Sequence, residues 1–499
     1  MFKKILIVNR GEIAVRIIRA CRELGIQSAA LFSRPDAAAL HTRMADESYL
    51  IGEALPADSY LNIPKIIALA KEIGADAIHP GYGFLSERAS FIAAVESEGI
   101  TFIGPSSKSV EMMGSKIAAR SLMMQYDVPV VPGTAEPVRS FDEALPVAEN
   151  IGYPVLIKAS AGGGGKGMRK VASASELREA IDSAGREALK AFGDAAVYIE
   201  KFIDNPKHIE VQILADQHGN YAHVFERECS VQRRHQKIVE EAPSSYVDEA
   251  TRQKITHAAV QAAKACQYTN AGTIEFLMDA NRNFYFLEMN TRLQVEHPVT
   301  EMISGIDLVK EQISIAAGNP LSFRQEDLTI RGHAIEARVY AEDPDNNFLP
   351  TTGIVEYHRR PSGPGVRVDE GIDVGSPVTM FYDPLLSKIT GYGRDREEAT
   401  ARLKRALAEY HIAGIQTNLP LLIWVLRNKT FLSGNYSIAM IEEEFLPLLP
   451  GKWRQTDDLD AEKASALLHT LLRHDRTTKL TAVSVRRKQS KEWREQYYE

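Results

Sequence analysis

The chain has 499 residues, 44% of them hydrophobic and 25% charged, with a formal net charge of −7. This is enough for several globular domains, each with its own core, and the acidic balance offers no basic field to nucleic acid. Cys21, Cys229 and Cys266 are too few and too far apart for a disulfide framework, and no apolar run approaches a membrane span.

The opening M-F-K-K-I-L-I-V-N-R-G-E has too short an apolar run for a secretory signal and lacks a small-residue cleavage site, so a cytoplasmic protein is expected. Residues 4–8 read as a buried strand, Asn9-Arg10-Gly11 as a turn, and 12–24 as a helix with Ile13, Ile17, Ala20, Cys21 and Leu24 on one face. A strand at 28–33, a helix at 63–72 and a strand at 75–79 follow. The last of these runs into the loop Pro80-Gly81-Tyr82-Gly83-Phe84, and a further helix and a strand at 100–103 complete the unit. This alternation predicts an open, mainly parallel sheet with ligands near the carboxyl ends of its strands, over residues 1–113. Gly11 stands alone and makes no G-x-G-x-x-G fingerprint.

A second unit spans 114–330, with an inserted lid subdomain at 131–202 that holds strands at 155–159 and 197–202 around a glycine-rich loop. Residues 207–216 and 222–228 read as a hairpin across 217–220. Residues 331–446 form an α+β unit with strands near 333–340, 353–358 and 366–368 and helices near 396–409 and 417–428. The tail, 447–499, carries a leucine stripe at 461–472 and then Arg473, Arg476, Lys479, Arg486, Arg487, Lys488, Lys491 and Arg494. Such a run is usually a solvated terminus; the leucines beside it keep a docking segment in view. The expected fold class is multidomain α/β and α+β.

From Phe286 to His297 the chain reads F-L-E-M-N-T-R-L-Q-V-E-H, with Glu288, Asn290, Arg292, Gln294 and Glu296 on alternate positions. In one extended strand these five would share a face. Glu, Asn and Gln are poor strand formers, and Glu with Asn suits a hard metal ion. Glu275 lies on the preceding strand, and a hairpin around 279–283 would set it beside Glu288, where two carboxylates repel unless a cation joins them. Glu275, Glu288 and Asn290 are the candidate metal ligands.

Residues 158–168, K-A-S-A-G-G-G-G-K-G-M, let backbone N–H groups approach a polyphosphate, with Lys158 and Lys166 at hand. No Gly-Lys-Ser/Thr follows, so this is not a Walker A loop; a bare lid hinge is the competing reading. Ser230 to Lys237 gathers Arg233, Arg234, His235 and Lys237 as a candidate anion clamp. Arg338 alone would count as structural.

Together these segments resemble the biotin carboxylase family of the ATP-grasp superfamily. The markers are I-V-N-R-G-E-I-A at 7–14, H-P-G-Y-G-F-L-S-E at 79–87, the glycine loop, R-E-C-S-V-Q-R-R-H-Q-K at 227–237, E-M-N-T-R-L-Q-V-E-H-P-V-T-E at 288–301 and R-G-H-A-I-E-A-R at 331–338. The resemblance covers residues 1 to about 446. It implies a Rossmann-like N-terminal domain, an ATP-grasp domain with a mobile lid, and a C-terminal α+β domain. It also implies ATP, Mg²⁺ or Mn²⁺, and biotin as the carrier-bound substrate. Nucleotide contacts fall on Lys116, Lys158, Gly164, Gly165, Glu200, Lys201, Ile203, His208, Gln232 and His235, with Glu275 and Glu288 through the metal. Bicarbonate falls to Lys237, Arg292, Gln294 and the Val295 backbone, with Glu296 as base; Arg338 and Tyr82 face biotin.

Two departures stand out. Arg88 replaces the asparagine usual after F-L-S-E, and the 499 residues contain no Met-Lys-Met biotinylation site. The implied partners are a separate biotin carrier protein and a carboxyltransferase subunit, with a homodimer as the common assembly. The implied reaction is the first half of an acetyl- or propionyl-CoA carboxylase, or of a two-subunit pyruvate carboxylase. Two competing readings remain: another ATP-grasp ligase, lacking the R-x-Q-V-E and Arg338 sets, and a nucleotide-binding subunit without catalysis.

Overall fold

The computed structural model describes residues 1–452 and Thr470, apart from 135, 137, 139, 160–168 and 193–196. The chain divides into two units, 1–443 and 444–499. The expected tail helix and basic run lie outside the described residues.

Five parallel strands open the fold: β1 (Lys4–Ile7), β2 (Gln27–Ser33), β3 (Glu47–Gly52), β4 (Ala77–His79) and β5 (Thr101–Phe102), in the order β3-β2-β1-β4-β5. Helices α1 (Gly11–Glu23), α2 (Leu40–Met44), α3 (Ile63–Glu72), α4 (Ala89–Ser97) and α5 (Ser107–Gly114) connect or follow them. Both faces of β1 are covered, as its unbroken apolar run demands. Leu6 and Val8 join Leu31, Ile66, Ile78 and Phe91 in one core. Ile5 and Ile7 join Ile13 and Ile17 of α1 in another, which continues into Leu214, Val224 and Leu293 of the next domain. The N-terminal sheet is thereby fastened to the floor of the site.

Helix α6 (Lys116–Gln125) leads into the lid: α7 (Phe141–Ile151), β6 (Val155–Ala159), β7 (Arg169–Val171), α8 (Ala174–Phe192) and β8 (Val197–Lys201), with a three-stranded sheet ordered β7-β6-β8. The lid has its own apolar core, built from Val155, Ile157, Leu177, Ile181, Val197 and Ile199.

The central elements are β9 (Lys207–Ala215), β10 (Tyr221–Arg233), β11 (Gln236–Ala242), α9 (Glu249–Ala265), β12 (Asn270–Met278), β13 (Phe284–Asn290), α10 (His297–Ser304) and α11 (Leu308–Ala316). Next comes β14 (His333–Tyr340), then the short strands β15 (Glu342–Asp343), β16 (Leu349–Pro350), β17 (Gly353–Ile354) and β18 (Tyr357–Arg359). After these lie β19 (Val366–Glu370), β20 (Pro377–Val378), β21 (Leu385–Gly393), α12 (Arg396–Glu409) and α13 (Leu419–Arg427). The strand expected over 353–358 is thus two short strands. One sheet of eight runs β13-β12-β9-β10-β11-β14-β21-β19, crossing position 330 without a break.

The hairpin around 279–283 forms as its sequence demands: Asp279 Oδ1 accepts the N–H groups of Asn281 and Asn283, both at 2.8 Å. The single ribbon expected over 286–297 does not form. Strand β13 stops at Asn290, and residues 291–296 turn into α10, whose N-cap is Glu296, with Pro298 in its first turn. Glu87 stabilises the turn, since its carboxylate accepts the Thr291 N–H at 3.0 Å and Arg292 Nε at 2.8 Å. Arg292, Gln294 and Glu296 therefore reach the site from a turn, and only Glu288 and Asn290 reach it from a strand.

Candidate active site

Register builds the floor of the site. Glu288 on β13 lies opposite Glu275 on β12, Glu275 opposite Glu210 on β9, and Glu210 opposite Arg227 on β10. Directly opposed residues share a face, so three carboxylates and a guanidinium stand in a row across four strands. Arg227 is completely buried, and each of its nitrogens is used. It pairs closely with Glu210 and donates to Gln212 Oε1 at 2.8 Å, Thr300 Oγ1 at 2.9 Å and Thr273 Oγ1 at 3.1 Å.

Above that row stands Lys237. Its ammonium reaches Glu210 Oε2 at 2.5 Å, Glu296 Oε1 at 2.8 Å, Glu275 Oε1 at 2.9 Å and Gln294 Oε1 at 3.1 Å. Burial opposes the charge, but Glu210, Glu275 and Glu296 outweigh it and hold the Lys237 pKa well above the ordinary lysine range. Gln294 Nε2 closes the ring on Glu275 Oε1 at 3.0 Å.

Glu296 is gripped from two sides. Lys237 holds Oε1, and Arg338 Nη2 donates to Oε2 at 2.8 Å. Burial pushes this carboxyl up, yet Lys237, Arg338 and Arg227 bring it well below the usual range, so it is ionised at neutral pH. Arg338 in turn makes a 2.6 Å ion pair with Glu240, at an angle outside hydrogen-bond geometry. Burial raises Glu240 to about 7 in spite of Arg338.

Arg292 Nη2 donates to Asn290 Oδ1 at 3.1 Å, so the amide of the candidate metal set touches the turn. Glu275, Glu288 and Asn290 supply oxygen donors from adjacent register positions. Glu275 is held ionised, burial being outweighed by Lys237 and His208. That donor set fits a hard divalent cation.

Of the nucleotide candidates, His208 is buried with Nε2 3.2 Å from Glu275 Oε2, and Gln232 Nε2 donates to the Cys229 carbonyl at 2.8 Å. His235 is exposed in the two-residue turn between β10 and β11, where Arg234 and His235 both take positive φ (50° and 67°). Lys158 pairs closely with Glu200 inside the lid, and Lys201 Nζ donates to the Gly152 carbonyl at 2.8 Å. Ile203 follows β8. Lys116 opens α6, but its side chain, like all of Gly164 and Gly165, lies outside the described residues.

Tyr82 comes from the N-terminal domain. Asn9 Nδ2 donates to the carbonyls of Pro80 and Tyr82, each at 2.7 Å, and so fixes this loop. Gly81 takes φ +62°, and a Cβ there would meet Ile13 at 2.9 Å. The Tyr82 hydroxyl donates to Glu12, a buried carboxylate of α1. Sequence reading missed Glu87, Glu210, Arg227, Glu240, Glu12 and Lys388. The polar alternation His208-Glu210-Gln212 carried the signal that singled out Glu288 and Asn290.

Three family models divide the chain: biotin carboxylase N-terminal domain over 1–110, carbamoyl-phosphate synthase L chain ATP-binding domain over 115–324, and biotin carboxylase C-terminal domain over 336–443. The chain belongs to the biotin carboxylase family. It is 49% identical over 482 residues to a pyruvate carboxylase subunit of Methanothermobacter thermautotrophicus, covering 97% of this chain and 98% of that one. It is 51% identical over 443 residues to biotin carboxylase 1 of Bacillus subtilis, covering 89% and 98%. Among solved structures, it is similar to the dimeric biotin carboxylase domain of Hydrogenobacter thermophilus 2-oxoglutarate carboxylase in complex with MgADP, ADP and bicarbonate. There the TM-score is 0.82 at 47% identity, covering 91% of this chain and 99% of that one. As a member of the family, the chain is an ATP-dependent carboxylating ligase that works on biotin. No described helix is long and apolar enough to cross a membrane.

Proposed function

We propose that this site carboxylates carrier-borne biotin with bicarbonate and ATP, and that Glu296, held between Lys237 and Arg338, is its general base. The grip on Glu296 carries the reading. A carboxylate so strongly stabilised is a poor base on its own. An anion bound at Lys237, Arg292, Gln294 and the Val295 N–H would share those cations and raise its proton affinity. Basicity then arrives with the substrate. The deprotonated bicarbonate oxygen attacks the γ-phosphorus, ADP leaves, and carboxyphosphate forms.

Glu275, Glu288 and Asn290 are the residues to hold Mg²⁺ or Mn²⁺, which when bound neutralises phosphate charge. The nucleotide is held by Lys116, Lys158, Gly164, Gly165, Glu200, Lys201, Ile203, His208, Gln232 and His235. Carboxyphosphate breaks to CO₂ and phosphate, and phosphate takes the N1′ proton of biotin. Arg338 stabilises the ureido enolate that attacks CO₂, with Tyr82 bordering the ring.

Bicarbonate-dependent ATP cleavage stimulated by free biotin tests this directly. Glu296→Gln should lower it by roughly a hundredfold or more. Unchanged turnover overturns the assignment, and indifference to both bicarbonate and biotin favours another ATP-grasp ligase.

For the acceptor we infer an acyl-CoA or a 2-oxo acid: the rat propionyl-CoA carboxylase alpha chain, matched over 99% of this chain, supports the first, and the Methanothermobacter pyruvate carboxylase subunit, matched over 97%, supports the second. The partners would be a biotin carrier protein and a carboxyltransferase subunit, with the carboxylase itself a homodimer. The proposed functional division is 1–113, 114–330 with the lid 131–202, 331–446, and a docking tail at 447–499. Purified transferase offered pyruvate and propionyl-CoA separately would decide the acceptor. Three buried, free cysteines support a reducing, cytoplasmic setting.

A further inference from the structure

Lys388 lies midway along β21, directly opposite Arg338 on β14 and Asp369 on β19. It is completely buried. An ammonium survives there only where acceptors and counter-charges surround it. Its Nζ donates to the Val295 carbonyl at 2.6 Å and lies 3.2 Å from Glu12 Oε1. Burial works against the charge, but Glu12, Glu336 and Asp369 keep the Lys388 pKa above its ordinary value. Glu12 uses the same oxygen to accept the Tyr82 hydroxyl. Lys388 is thus the one described group that links α1, the Tyr82 loop and the turn before Glu296.

The turn needs such a link. The ladder of α10 begins at the Glu296 carbonyl, which accepts the Val299 N–H at 3.3 Å. The Val295 carbonyl comes one residue too early to join it. Holding that carbonyl fixes the Val295–Glu296 peptide plane and with it the position of the Glu296 Cα. The preceding plane, which carries the Val295 N–H, is held through the Gln294 carbonyl, which accepts the His297 N–H at 3.3 Å, so Val295 is anchored on both sides.

Resting on the function proposed above, we propose that Lys388 is a positioning residue for carboxylation. Its ammonium clamps the Val295 carbonyl and, through Glu12, ties the bicarbonate turn to the biotin-side Tyr82. Lys388 touches neither substrate. It acts through the geometry of a turn on which small displacements are costly in rate.

Three variants test this in the full chain. Lys388→Met removes donor and charge but leaves Glu12 buried without its cation. The double variant Glu12→Gln/Lys388→Met removes that orphan charge and keeps an acceptor for Tyr82. Lys388→Arg retains both donor and charge. Steady-state ATP cleavage with free biotin gives KM for bicarbonate and for ATP, and thermal melting reports folding.

The double variant should raise KM for bicarbonate about 10- to 100-fold, the loss expected for a charged hydrogen bond. Its KM for ATP should stay within about twofold, since the nucleotide residues lie elsewhere. Lys388→Arg should recover at least part of the loss. A folded double variant with wild-type bicarbonate KM overturns the proposal, and so does an equal rise in both KM values. Should neither methionine variant fold, Lys388→Gln decides, since its amide keeps polarity but lacks the charge and the reach: a bicarbonate-selective rise in KM supports the clamp, and a wild-type bicarbonate KM overturns it. Wild-type chain lacking bicarbonate dependence would instead remove the functional reading itself.

Discussion

The lid and the eight-stranded sheet differ in what they bury besides apolar side chains. The lid is held together by Val155, Ile157, Leu177, Ile181, Val197 and Ile199, a closed apolar cluster. Its ion pairs, Lys158 with Glu200 and Lys170 with Asp204, lie at partly or fully exposed positions. The sheet also has an apolar core, with Ile209, Val211, Ile213, Ile274 and Phe276, but in addition it buries Glu210, Arg227, Glu240, Arg338 and Lys388. Apolar burial has no direction, so a unit built on it can move as one body without losing stability. Charge-assisted hydrogen bonds are directional and fix individual atoms. The part suited to closing over a nucleotide is apolar inside, and the part that must hold reacting groups in place adds buried charge to an apolar core.

Four substitutions would break or sharpen that contrast. The largest effect is expected for Arg227→Met, which takes one of two cations from buried Glu210 and the donor from Gln212, Thr273 and Thr300, and should cost about 4 kcal/mol of stability, read by denaturant unfolding. The next is a matter of pH. Glu241 is buried, with His333 Nε2 at 2.6 Å and Arg396 Nε at 2.7 Å. Burial alone would raise it, but His333 and Arg396 bring it down to about 2. A carboxyl depressed on folding stabilises above its unfolded pKa of about 4.5 and loses that contribution as pH falls towards 2. The contribution is on the order of 3 kcal/mol. Glu241→Gln should flatten the stability curve across this acid window, measured by melting at stepped pH.

In the lid, Ile157→Ala should cost about 2 kcal/mol. That cost should be confined to the lid, raising KM for ATP while the main calorimetric transition stays put. A shift of the main transition would show that the two regions are not separately built. The smallest effect concerns Arg88, the N-cap of α4, whose side chain caps nothing. Arg88→Asn should restore a cap and add about 1 kcal/mol, visible as a slightly higher melting temperature with unchanged kinetics.

Local pattern carried much of this in the sequence. The helices at Ile63–Glu72 and Arg396–Glu409 and the hairpin joining β12 to β13 follow from periodicity and turn residues. The failure over 286–297 is instructive. Polar alternation continues past Asn290, but the backbone does not, because Pro298 favours a helix start and Glu87, about two hundred residues earlier, pins the turn. Strand β21 went unseen although Lys388 and Thr390 alternate along it with apolar or small neighbours. A buried lysine looks like an exposed one until Glu12 and Val295 are brought beside it. Pairings of that kind depend on tertiary contact, and no window of sequence contains both partners.

Because β11 and β14 are hydrogen-bonded neighbours, with Val239 opposite Ala337 and Glu240 opposite Glu336, the sheet joins the residues on either side of position 331 independently of the peptide bond there. Cutting the gene near position 331 and producing the halves apart would leave each with a naked strand edge, prone to stick to whatever it meets. Made together, the same halves have a template for reassembly, and the arginine opposite Lys388 would find its glutamate across the join.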